Sequence, residues 1–99
     1  MMALLDDVKI ALRISATNSS FNTEINDLIS AAQRDLQVSG IKVTDTSDPL
    51  IKRAITTYCK AYFGYDNPDA DRLIKAYQML KMHLMLSTEY NSEVVTDEA

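Results

Sequence analysis

Two helix-start signals in the second half of the chain constrain its fold more than any other feature. In each, a residue whose side chain accepts hydrogen bonds from backbone amides stands directly before a proline, in Asp48-Pro49 and in Asn67-Pro68. Such side chains cap the first turn of a helix. Proline suits the first helical position because its φ is preset and it has no N–H to leave unpaired. The two signals therefore predict helices that begin near residues 48 and 68.

The first signal predicts a helix over residues 48–64. Its apolar residues recur at helical spacing and define one face: Ile51, Ala54, Ile55, Tyr58, Ala61 and Tyr62. Gly64 is expected to end this helix, because glycine readily adopts the left-handed conformation that closes many helices. The link to Asn67 is short, so the helix predicted at residues 68–87 is expected to pack antiparallel against the first. The core stripe of that helix consists of Leu73, Tyr77, Leu80 and Leu84.

Two further helices are predicted in the first half of the chain, at residues 3–14 and 22–38. Their apolar stripes are Leu4, Leu5, Val8, Ala11 and Leu12 in one helix, and Ile25, Leu28, Ile29, Ala32 and Leu36 in the other. Lys9 is expected mostly outside the first stripe. Asn22 is a good N-cap for the second helix, and Ser39-Gly40 is a plausible C-terminal cap. The segments 15–20 and 41–47 are interpreted as loops.

The predicted fold is all-α, a small bundle of four helices followed by a polar, acidic C-terminal tail. A chain of 99 residues is expected to form one domain, here residues 1–90, with residues 91–99 as a flexible tail. Two glycines and two prolines leave little room for a turn-rich β architecture. No apolar run reaches the roughly 18 residues of a membrane span. The N-terminus lacks a signal pattern, so we expect a soluble chain made in the cytoplasm without membrane contact.

Charge is spread unevenly along the chain. The net charge is −4; residues 1–47 carry six acids and four bases, residues 48–88 four acids and six bases, and residues 89–99 four acids and no base. The helical body is therefore close to neutral and the tail is acidic. Proteins that bind nucleic acids usually carry a basic patch or stripe, which this sequence does not display. We expect a chain that does not grip DNA phosphates.

The candidate catalytic and metal-binding residues have simpler structural explanations. His83 is the single histidine and has no second ligand at metal-binding spacing. Cys59 cannot form an internal disulfide and is interpreted as a small helix residue. Asp69 and Asp71 are explained by favourable charge in the first turn of a helix. Two isolated glycines cannot build a phosphate-binding loop. The sequence predicts no enzyme, no metal and no cofactor.

The remaining candidates are contact residues. Met79, Met82 and Met85 recur at spacing three, and methionine adapts to irregular surfaces. They indicate either an interface beside the core stripe or ordinary core filling. Ile10 and Ile14 lie away from the stripe of the first helix and either contact a neighbour or are simply exposed. Tyr65, in the turn before Asn67, is either an interface residue or a cover over the end of the helix hairpin.

Several phrases of the sequence resemble the small head–tail connector proteins of phages, the head-completion adaptors that dock on the portal ring. The most specific are FGYDNPDADR and DPLIKRAI, both within residues 48–73. The resemblance extends upstream to LLDDVKIALRI (Leu4–Ile14) and FNTEINDLISAAQRDL (Phe21–Leu36) and covers the chain to about Tyr90. It does not include the loop of residues 15–20 or the tail.

The resemblance implies a structural component of the virion at the head–tail junction. Such a connector assembles as a ring under the portal protein after DNA packaging, and its subunit number is expected to match the portal's symmetry. The ring extends the DNA channel, lets the DNA pass without binding it specifically, and docks the tail or a stopper protein. In this family a terminal segment commonly becomes ordered against a neighbouring ring component. By that analogy, Val94 and Val95 are hypothesised to anchor the tail on the portal.

The alternative function is a small helical regulator, either a DNA-binding protein or an antitoxin-like dimer. A helix-turn-helix needs basic and amide residues near the start of its recognition helix. Lys52 and Arg53 are the only residues that support this interpretation. The turn that follows, FGYDNP, is unlike the short turn that leads into a recognition helix. Tight, salt-sensitive binding of DNA would favour the regulator.

Overall fold

The computed structural model describes residues 4–42, 45–64 and 67–91. Within these ranges the chain forms helices joined by turns and loops, and it contains no strand. The helices are α1 Leu4–Ala11, α2 Asn22–Val38, α3 Pro49–Tyr62, α4 Ala70–Leu86 and α5 Thr88–Asn91. The all-α prediction is confirmed. The four predicted helices are present as α1 to α4, and α5 was not predicted. The predicted tail after Asn91 lies outside the described residues.

Helix α1 is shorter than predicted, because the chain turns at Arg13. Arg13 has a φ of +63°, in the left-handed region. Its N–H donates to the Ile10 carbonyl at 3.0 Å, and the Ile14 N–H donates to the Lys9 carbonyl at 2.9 Å. This is the Schellman pattern of a helix end, here built without glycine. Ile14 follows the turn and packs against the core.

Helix α2 has the predicted bounds, but its first turn lacks the predicted side-chain cap. The N-cap position belongs to Phe21 and no side chain caps it, so the prediction that Asn22 is the N-cap is wrong. Asn22 is the first helical residue. At the other end Gly40 has a φ of +98°. The Gly40 and Ile41 N–H groups donate to the carbonyls of Gln37 and Leu36 at 3.0 and 3.1 Å, which confirms the Schellman cap.

Helix α3 begins as the Asp48-Pro49 signal predicts. The Asp48 carboxylate accepts hydrogen bonds from the N–H groups of Leu50 and Ile51 at 2.9 and 3.3 Å. The helix ends at Tyr62, two residues before Gly64, which has the expected positive φ of +82°. The Gly64 N–H donates to the Glu24 carboxylate at 3.3 Å, so this turn is fixed to the first turn of α2.

The start of α4 corrects the prediction made from Asn67-Pro68. The helix begins at Ala70 rather than at Pro68, because Asn67 to Ala70 form a separate turn closed by an Ala70 N–H to Asn67 carbonyl bond of 3.0 Å. The Asn67 amide donates to the Lys60 carbonyl at 2.7 Å. Asn67 therefore caps the end of α3 as well as shaping the approach to α4.

Helix α3 is the central element of the bundle, since it packs against α1, α2 and α4. The Tyr58 and Tyr77 rings meet edge to face with centroids 5.1 Å apart, while Leu50 near the start of α3 lies in the same groove as His83 near the end of α4. The two helices are thus antiparallel, as predicted. The fully or nearly fully buried core consists of Val8, Ile25, Ile29, Ala32, Leu36, Ile41, Ile51, Ala54, Ile55, Cys59, Tyr77, Leu84 and Tyr90.

The short helix α5 returns the chain to the start of α3. The buried Tyr90 hydroxyl donates to the Asp48 carboxylate at 3.0 Å, and its carbonyl accepts from the Lys42 N–H at 2.8 Å. Burial, together with the bond to Asp48, raises the pKa of Tyr90. The same carboxylate therefore caps α3 and holds α5, which explains why a helix this short is kept in place.

Candidate interaction surfaces

The buried ammonium of Lys9 organises the loop between α1 and α2. Lys9 is 3% exposed, and it is the only charged residue in the core of the described chain. Its Nζ donates to the Asn18 carbonyl at 2.6 Å, the Asn22 Oδ1 at 3.0 Å and the Ala16 carbonyl at 3.3 Å. An ammonium has three N–H donors, and each has an acceptor here. The prediction that Lys9 lies mostly outside the apolar side is wrong, because the loop folds back over it.

A second polar cluster joins α2 to α4. The Asp35 carboxylate accepts from the Tyr77 hydroxyl at 2.5 Å and from the Lys81 Nζ at 3.0 Å. Partial burial acts to raise the pKa of Asp35, but the two hydrogen bonds and the charge of Lys81 lower it overall. Burial raises the pKa of Tyr77, and the hydrogen bond to Asp35 raises it further. Asp35 is therefore held as a carboxylate and fixes the rotation of α4, which determines which α4 residues face outward.

The second half of α4 carries large apolar side chains on the side opposite the core. Met79, Met82 and Leu86 are 75%, 61% and 78% exposed. Their spacing of three and four residues places them on one side of the helix, because successive residues are rotated by about 100°. We call these three residues the outer α4 stripe. Met85 is less exposed, at 39%, and is rotated away from the stripe. The alternative that Met79 and Met82 are core filling is wrong.

The other predicted contact residues are placed differently. Ile10 on α1 is exposed. Ile14 is half-buried and packs against the core, so most of its side chain is not available on the surface. Tyr65, Val94 and Val95 lie outside the described residues. Leu86 and Val38, the last residues of α4 and α2, are also exposed and were not among the predicted contact residues. Each is an apolar residue outside the core stripe of its helix, and this position was the available signal in the sequence.

The surface also has a groove between α1 and α3 with cationic walls, which we call the α1/α3 groove. Its charged lining residues are Asp7, Lys52, Arg53 and Lys60. Lys52 pairs with Asp7 at 3.2 Å. This pairing weakens the case for a DNA-binding regulator. Lys52 and Arg53 were the two residues that supported it, and Lys52 already forms an ion pair within the protein.

The structure places the two residues considered for chemistry, Cys59 and His83, in different settings. Cys59 is fully buried in the core, and burial raises the pKa of its thiol to about 12. The sequence identified it only as a small helix residue, and the structure places it in the core. His83 is exposed and lines a shallow groove between α3 and α4 with Leu50, Arg53 and Met79. Within the described ranges no three His, Cys, Asp or Glu side chains are grouped so that they could hold a metal ion.

Comparison with known proteins decides the family. The family model described as "Phage connector protein" matches residues 4–91, which covers all five helices. The chain belongs to the phage connector protein family. The connector is accordingly a structural component of a phage virion. Comparisons with curated proteins and with solved structures gave no match. None of the connector's helices in residues 4–42, 45–64 and 67–91 is long and apolar enough to cross a membrane.

Proposed function

We propose that this connector assembles as a ring beneath the portal protein after DNA packaging, extends the DNA channel and docks the tail or a stopper protein. The observation that carries the proposal is the outer α4 stripe. A small domain that already fills its core has no need of three large apolar side chains on the opposite face of a helix. Contiguous apolar surface of this kind typically marks an interaction site.

A cyclic ring requires two different patches on each subunit, because a heterologous contact joins one surface to another around the axis. The outer α4 stripe supplies one patch in our proposal, and Ile10 on α1 supplies part of the other. Tyr65, Met85 and the exposed part of Ile14 are proposed as peripheral contacts.

The portal contact is assigned to the C-terminal segment, in which Val94 and Val95 are the apolar anchors. The acidic balance of the chain suits a channel that passes DNA without binding it tightly, because affinity for DNA depends on cations that neutralise phosphates. Residues 1–90 remain our prediction for the folded domain.

The test is a pair of double variants with the same change in charge. Met79→Glu with Met82→Glu places two carboxylates in the outer α4 stripe. Ser30→Glu with Ala31→Glu places them on exposed positions of α2, outside the proposed contacts. Both variants should keep the helical circular dichroism spectrum of the parent chain. We expect only the control to assemble on purified portal protein. Equal assembly of the two variants, or no assembly of the parent chain, would contradict the proposal.

A further inference from the structure

The α1/α3 groove has two cations that the structure leaves without a carboxylate partner. Lys52 is paired with Asp7, but Arg53 and Lys60 have no ion-pair partner among the described residues. Both are exposed and lie on the same wall of the groove. Thr56 and Thr57, which lie between these two cations in the sequence of α3, also line the groove. This lining is suited to an extended, acidic peptide segment.

The described part of the chain ends beside one end of this groove. Tyr90 is held at the first turn of α3 by its 3.0 Å bond to Asp48. Ser47 and Pro49, the neighbours of Asp48, line the groove at that end. The Tyr90 side chain therefore ties the end of the described chain to this end of the groove.

The sequence beyond α5 has the complementary charge. Residues 92–99 read SEVVTDEA and contain Glu93, Asp97 and Glu98 with no base. The α3 axis from residue 48 to Lys60 is about 18 Å long, at 1.5 Å per residue. Eight extended residues reach about 26 Å. The separation of Glu93 from Asp97 is about 13 Å in an extended chain, and that of Arg53 from Lys60 is about 10 Å along the helix. The two spacings differ by about 3 Å, which the flexible arginine and lysine side chains can take up.

We propose that, in the free subunit, residues 92–99 occupy the α1/α3 groove of the same chain. Glu93 pairs with Arg53, and Asp97 or Glu98 pairs with Lys60. Val94 and Val95 lie between the two charged ends, against the threonine methyl groups and Ala11. The contact is intramolecular and does not depend on ring assembly. It rests on exposed ion pairs, so it is weak individually and sensitive to salt.

Zero-length carbodiimide cross-linking of the full chain, followed by peptide mass spectrometry, tests this contact. The reagent joins an amine to a carboxylate only when the two are in direct contact. The Lys52–Asp7 pair at 3.2 Å is an internal standard. We expect links from Lys60 to Asp97 or Glu98, several-fold more abundant than links from Lys75, an exposed lysine on α4. These links should be lost at high salt, while the Lys52–Asp7 link is reduced less because its carboxylate is partly buried.

Two further arms separate the alternatives. In a mixture of isotope-labelled and unlabelled protein, the expected Lys60 links join peptides of the same isotope content. Links of mixed content would overturn the proposal, since they assign the contact to a second copy. In Arg53→Gln the yield of Lys60 links should fall, whereas in the matched surface variant Arg72→Gln it should not. The proposal would also be overturned if the tail formed links equally with Lys60 and Lys75. The same holds if the tail formed no links while the Lys52–Asp7 link was detected.

Discussion

Replacing Lys9 by methionine should destabilise the protein, although it removes a charge from the core. Hydrogen bonds to charged groups are worth about 1.5–3 kcal/mol each, and Lys9 makes three. Burial of the ammonium offsets several kcal/mol of that gain. The acceptors Ala16, Asn18 and Asn22 lie near the surface and regain water in the variant. We therefore expect a net loss of about 2 kcal/mol in the free energy of unfolding.

The assay is urea unfolding followed by circular dichroism, in which a stability change moves the midpoint without changing the slope. For a domain of this size, the loss corresponds to a fall of about 10 °C in Tm. Lys75→Met is the matched control, since Lys75 is exposed on α4. In Lys9→Met the amides of residues 15–20 should also exchange faster with solvent. A Lys9→Met variant as stable as the control, or more stable, would contradict this prediction, because it would show that the cost of burying the charge outweighs its hydrogen bonds.

Three further predictions concern groups whose environment the structure defines. Because the pKa of Asp35 is lowered in the fold, its stabilising effect is present above the unfolded carboxylate pKa and is lost as pH falls through the folded value. Asp35→Asn should therefore be less stable than the parent at pH 7 and converge with it in acid, as measured by thermal unfolding across pH. Arg13→Gly should stabilise the chain by up to about 1 kcal/mol, because glycine adopts a positive φ without strain; a lower urea midpoint would contradict this. The Cys59 thiol, with its pKa raised to about 12, should resist alkylation at pH 8 until the protein is unfolded, and rapid labelling of the native protein would contradict its burial.

The helix ends with strong local signals could be read from the sequence. Asp48 caps α3 because its carboxylate accepts hydrogen bonds from first-turn amides and Pro49 suits the first helical position. Gly40 closes α2 because the left-handed position suits glycine. The end of α1 could not be read in the same way, because Arg13 takes the left-handed conformation without any residue preference that announces it.

The contacts that depend on the tertiary fold were inaccessible from the sequence. Lys9 has the spacing of a surface residue, and only the return of the loop over α1 turns it into a buried cation. Tyr90 follows a polar segment, and its burial depends on reaching Asp48, a residue distant in sequence. For the candidate surface, the surplus of apolar residues on α4 was visible. Met79 and Met82 lie on the outer α4 stripe, whereas Met85 lies beside it. This difference depends on the rotation of α4 that Asp35 fixes.

Assembly into a ring under the portal can be measured by light scattering after size exclusion, with and without purified portal protein. We expect a large, discrete connector oligomer, formed either by the connector alone or only when portal is present. Many assembly proteins associate only when a partner stabilises the assembled form, so both arms are needed. A monomer or dimer whose mass and elution are unchanged by portal would contradict the account.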